Sequence, residues 1–201
     1  MSLIINLEGY RYEELKLLNS INHTLHLYNL PEYKRPHKPN LNGELLPSLV
    51  WRTSNFTHLQ YIYVKLKEGL CLELDEVYDD PEIKLELLNK HRDLGESHLI
   101  CHGYFYGYYV PIDFKDVKLP SSDLLSLGSS VNLRNELLEI ASKINFDLEK
   151  HIVLDTIPIH EKISKMLLDD ELLSYEENLV LELYVMTLAS IEYDLVISLS
   201  G

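Results

Sequence analysis

The chain reads as a single α+β domain spanning residues 1–201, with a mostly antiparallel sheet packed against four to five helices. Three observations point there. Short apolar runs at 3–7, 49–51 and 195–199 have strand length. Residues 61–66 alternate, Tyr61, Tyr63 and Lys65 against Ile62, Val64 and Leu66, as a half-buried strand does. Longer segments at 11–28, 80–93, 131–144 and 171–193 place apolar residues three and four apart, which is helical spacing. At 201 residues the chain should bury roughly 70% of its unfolded surface, so it needs no disulfide or metal to fold.

In chain order, Leu3 to Leu7 is an edge strand or the lead-in to a helix. Tyr10 to Tyr28 is a helix with Leu15, Leu18, Ile21 and Leu25 along one stripe, and Pro31 ends it. Residues 31–47 hold four prolines, with Lys34, Arg35, His37 and Lys38 among them, and must be a loop. Strands are predicted at 49–51, 59–66 and 70–75, the last two joined at Gly69. Asp80-Pro81 begins a helix as N-cap and first helical residue, and Gly95 ends it.

Residues 98–110 read as one strand, or a tight pair around Gly103 or Gly107, closed by Pro111. A loop at 111–123 precedes a helix from Val131 to Ile144, capped by Ser129 or Ser130, with Leu133, Leu137, Leu138 and Ala141 inward. Short extended structure at 152–154 and a helix from Pro158 to Leu168 follow. The longest periodic element is 171–193. Its wide apolar stripe predicts packing on more than one side.

The formal net charge is −14. A field of that sign repels nucleic acid and anionic membranes and attracts basic proteins. After Lys165 there is no Lys or Arg, while eight acids from Asp169 to Asp194 supply −8, more than half of the total. No run approaches the ~20 apolar residues of a membrane-spanning helix. The first residues lack a basic, then apolar, leader, so the cytoplasm is the expected compartment. Two cysteines, Cys71 and Cys101, set no disulfide framework.

The stretch His98 to Pro111 concentrates the residues that could carry chemistry. A metal site would need His98, Cys101 and His102 to converge with His23 and His26, but strand alternation puts Cys101 opposite both neighbouring histidines. The same geometry denies Cys101 an adjacent base. No phosphate loop, nucleophile elbow, calcium loop or paired metal cluster occurs, so no cofactor is expected. Tyr104, Tyr106 and Tyr108 alternate on one face as in an RNA-stacking strand, yet the acidic balance argues against RNA.

In bulk character the chain resembles small, acidic proteins without catalytic motifs, some of which are immunity proteins that block a toxin. That resemblance implies a protein-binding module of the inhibitor or immunity type, with a basic partner such as a nuclease toxin. The expected contact residues are Glu73, Asp75, Glu76, Asp79, Glu176 and Glu177, with Tyr104, Tyr106 and Tyr108 as anchors. Two alternatives stand beside it. One is an enzyme using Cys101 or a His/Asp pair near the central strand, and the other is a homo-oligomeric scaffold or adaptor.

Overall fold

A computed structural model describes residues 2–8, 14–34, 48–70, 81–100, 102, 106–118, 126–148 and 173–201. Five strands and five helices run through these residues in the order β1 (Ser2–Glu8), α1 (Glu14–Leu27), β2 (Ser48–Arg52), α2 (Thr53–Lys67), α3 (Pro81–Leu94), β3 (Tyr106–Val110), β4 (Leu127–Ser129), α4 (Ser130–Lys143), α5 (Tyr175–Tyr193) and β5 (Val196–Ser200). The strands form one sheet in the order β2-β1-β5-β3-β4. Every pairing is antiparallel except β3 with β4. The α+β expectation is met.

Burial explains the sheet. In β1, Leu3, Ile5 and Leu7 are buried while Ile4 is 40% exposed, the alternation of a strand with one covered face. In β2, Leu49 and Trp51 are buried against exposed Ser48, Val50 and Arg52. β5 differs, because Val196 through Leu199 are all buried. Its Ile197 and Leu199 join the main core with α2, α4 and α5. Its Val196 joins a smaller core with Ile21 and Leu25 of α1, Val110 and Leu127. β5 is thus the middle strand of the sheet, covered by helices on both sides.

Two local predictions hold, the Ser129 cap and the Gly95 stop, and the last helix starts at Tyr175, later than the expected 171. Ser129 caps α4 by accepting a hydrogen bond from the Asn132 N–H at 3.2 Å. Ser174 and Glu177 form a reciprocal capping box at the start of α5. Gly95, with φ of +69°, ends α3 in the conformation that favours glycine. Ser130 of α4 and Ser190 of α5 lie 2.7 Å apart, and the Ser190 hydroxyl donates onward to the Leu195 carbonyl, joining two helices to the entry of β5.

Four predictions need correction. Residues 59–66 belong to α2. That helix buries Phe56 and the run His58 to Lys65, so it is covered on several sides and its apolar residues no longer mark one helical face. Among the described residues of 98–110, 106–110 is strand, and 98–100 form a turn. Leu127–Ser129 is a short strand that its Gly and Ser content disguised. Leu138 is 39% exposed, on the outer side of α4. The predicted elements at 71–75, 152–154 and 158–168, the Asp80 cap and most of the 31–47 loop lie outside the described residues.

Candidate protein-binding surface

Residues 97–100 and 102, between α3 and β3, are irregular but buried, and two side chains above all take up their backbone groups. From α4, the Glu136 carboxylate accepts the N–H groups of His98 (2.8 Å) and Leu99 (2.7 Å) and the Ser97 hydroxyl (3.1 Å). From α2, the Gln60 amide donates to the carbonyls of Leu99 (2.7 Å) and His102 (2.9 Å). Its own oxygen accepts from Arg92 of α3 at 3.2 Å. One residue takes the donors and the other the acceptors, which is how a buried segment without secondary structure avoids the cost of unpaired backbone groups. Burial pushes the Glu136 pKa up to about 7 against the lowering pull of its three bonds.

The histidines of this stretch are structural. His98 Nε2 donates to the Lys115 carbonyl and Nδ1 accepts the Ser129 N–H, both at 2.9 Å, which fixes a neutral ring with neither nitrogen available to a metal. Burial lowers its pKa. His102 is fully buried, donates to the Tyr108 carbonyl at 3.0 Å and stacks on the Tyr109 ring at 4.0 Å. Burial takes its pKa down to about 4. Gly107 and Gly128 leave the space its ring occupies. His23 and His26 are exposed on α1, and no group of three potential metal ligands exists among the described residues. Cys71 and Cys101 lie outside them.

The predicted contact residues separate into three sets. Glu73, Asp75, Glu76, Asp79 and Tyr104 lie outside the described residues. Tyr106 and Tyr108 are in β3, where Tyr108 is half-buried against the smaller core beneath α1. Glu176 and Glu177 open α5 and hold its first turn in place. The Glu176 carboxylate meets the buried His58 ring of α2 at 3.0 Å, and Glu177 completes the capping box. Glu182, farther along the tail, accepts from the Trp51 indole N–H at 2.6 Å, and burial raises its pKa. Much of the tail's negative charge therefore serves internal packing.

Exposed acids occur on several elements, among them Glu32, Asp147, Glu192 and Asp194, and α3 arranges its own in a row. Glu82, Glu86, Asn89 and Asp93 are all exposed, at spacings of four, three and four residues, and so share one side of the helix. The opposite side carries Leu88, the buried anchor of α3. The basic residues of the helix are turned to partners. Lys84 sits over the Tyr61 ring at 4.8 Å, Lys90 and His91 both reach the Glu68 carboxylate at 2.7 and 2.8 Å, and Arg92 bonds Gln60. The outcome is a single-sign row of carboxylates that continues, after Gly95, to exposed Glu96. Sequence reading missed Glu86, Asp93 and Glu96. Their spacing within a helix already expected at 80–93 was the available signal. Glu136 carried one as well, since it stands between Leu133 and Leu137 on an otherwise apolar face.

A family model described as Putative DNA-mimic protein matches residues 6–199. No curated protein and no solved structure matches the chain. The family match overturns the expectation of an immunity or toxin-inhibitor module, while a basic protein partner remains compatible with it. Total charge and its concentration in the tail do not distinguish the two kinds of acidic binder. Standing in for DNA depends on where carboxylates are held on the outside of the fold.

Proposed function

This chain belongs to the DNA-mimic family, and on that premise we propose that it binds a DNA-binding protein at the basic surface that otherwise takes DNA. The observation that carries the reading is the outward row of α3, with Lys90, His91 and Arg92 of the same helix engaged by Glu68 and Gln60. At 1.5 Å per residue, Glu82 and Glu86 are about 6 Å apart along the axis and Glu86 and Asp93 about 10 Å. These steps approximate two and three phosphate intervals of about 3.4 Å along one DNA strand. The row is far sparser than a duplex, which carries one charge per ~1.7 Å. The mimicry is therefore one of position, supported by the overall charge of −14, and its binding should weaken less steeply with salt than the binding of DNA to the same partner.

The test is capture and competition. Immobilised protein should retain a DNA-binding protein that short duplex DNA releases and that polyglutamate at equal charge does not. The double reversal E86K/D93K should abolish retention while leaving the free energy of unfolding within about 0.5 kcal/mol of the parent, because both positions are exposed. A second variant that neutralises Glu73, Asp75, Glu76 and Asp79 tests the acids that precede α3 in sequence. Equal release by both polyanions, or full retention by the double reversal, would refute the reading.

A further inference from the structure

Beside the end of the acidic row a cleft of about 300 Å³ opens between α2, α3 and α4. Lys67, His91, Leu94, Glu96, Ile100 and Glu136 shape it. Leu94 and Glu96 are exposed, and Glu136 is nine-tenths buried. The cations around the cleft are already matched. Lys67 lies 2.9 Å from Glu139 of α4, which also accepts the Tyr63 hydroxyl, and His91 shares Glu68 with Lys90. Neither Glu136 nor Glu96 has an ion pair among the described residues. A carboxylate has about four acceptor positions, and Glu136 fills three, with Oε1 taking only the His98 N–H. The cleft thus joins a buried carboxylate that has no ion pair among the described residues, its neighbour Lys67 being bonded to Glu139, with an open acceptor position and an apolar wall.

We propose that this cleft takes the side chain of an arginine of the protein partner, its guanidinium against Glu136 and Glu96 and its methylenes along Leu94 and Ile100. Arginine suits the cleft because its planar donors reach a carboxylate in fixed geometry and its stem packs on apolar surface. A buried arginine is also a common centre of binding energy at interfaces. The raised Glu136 pKa agrees, since burial outweighs both its three hydrogen bonds and the Lys67 charge nearby, and leaves the ionised form under-compensated. The identity of the arginine's owner rests on the DNA-mimic reading, whereas the cation site does not.

The site is therefore tested without a partner, by adding N-acetyl-arginine methylamide to the full chain and following the Glu136 carboxyl carbon by NMR from roughly pH 5 to 9. Saturating probe should move the Glu136 midpoint down by about one pH unit or more. Leu94→Trp, which fills the mouth and leaves the three Glu136 bonds in place, should weaken probe binding by about tenfold, and Glu136→Gln should abolish it. A midpoint unmoved by the probe, or undiminished binding by L94W, overturns the site. Putrescine acting as strongly as the arginine probe makes the cleft a small-amine site and overturns the docking role. Full retention of a captured DNA-binding protein by L94W does the same. If the probe binds but no DNA-binding protein is retained by the parent chain, the DNA-mimic reading falls and the cation site stands.

Discussion

Replacing Gly107 by Ala tests the packing around His102. A methyl at position 107 would overlap His102 Cδ2 outright and sit 2.9 Å from Nε2 and 3.2 Å from Cγ. Carbon contacts are comfortable at about 3.5–4.0 Å. The ring has no room to retreat. Tyr109 stacks on it at 4.0 Å, the Tyr108 carbonyl holds Nε2 at 3.0 Å, and Gly128 lies close to Cε1. Overpacking costs typically 1–3 kcal/mol, and with backbone and ring both held the upper end applies, about 3 kcal/mol. His102→Ala alone should cost about 2–4 kcal/mol through the cavity it leaves and the lost hydrogen bond. In the double variant the new methyl meets empty space, so the combined loss should fall short of the sum by about 2 kcal/mol or more. Urea unfolding followed by circular dichroism measures all four corners of the cycle, and a loss of about 3 kcal/mol should lower the midpoint by roughly 1–2 M. Additivity within about 0.5 kcal/mol would refute the claim that Gly107 exists to accommodate this ring.

Two further outcomes follow from the buried polar groups. His102 has its pKa lowered from 6.5 to about 4 in the fold, so its contribution is present above 6.5 and is lost as pH falls through 4. Glu136, raised from 4.5 to about 7, works the other way, contributing below 4.5 and losing that as pH rises through 7. Each effect is on the order of 3 kcal/mol, so stability should be nearly flat from about pH 4.5 to 6.5 in the parent chain. His102→Phe should be more stable at pH 5 than at pH 8, and Glu136→Gln should lose stability on acidification, as chemical unfolding across pH would show. Trp51→Phe removes the indole N–H that Glu182 accepts, and among the described residues leaves that half-buried carboxylate without a donor. It should cost about 1–3 kcal/mol and raise the Glu182 midpoint further, both readable by calorimetry and carboxyl NMR.

Much of the architecture was legible in the residues. β1, β2 and β5 follow from short apolar runs, and α3 and α4 follow from Pro81 and Ser129 at their starts. What failed did so where tertiary burial hides local pattern. α2 is surrounded, so Tyr61, Tyr63 and Lys65 are as buried as Ile62 and Val64, and an apparent alternation meant nothing. The stretch from His98 looked like a strand because it is apolar, yet much of its backbone bonds to Glu136 and Gln60, partners 37 or more positions away that no local reading can pair with it. The surface misled for a related reason. Glu176 and Glu182 are indistinguishable in sequence from solvent-facing acids, and the positions of His58 and Trp51 show that they face inward, while Glu177 is taken up by the Ser174 cap at the surface.

The place of β5 bears on how the sheet is assembled. Ile5 pairs with Leu199, and Gly107 pairs with the same residue from the other side. Among the described residues β1–β2 and β3–β4 are two ribbons joined through β5, a strand that leaves the ribosome after both. Until it arrives, each ribbon shows an unsatisfied edge and an uncovered apolar face, the state most prone to pairing with a neighbouring chain. Yield from expression in cells should thus depend on how quickly residues 196–200 insert, and a cut in the chain just before them should leave a long fragment with two unpaired ribbon edges that aggregates instead of a smaller folded protein.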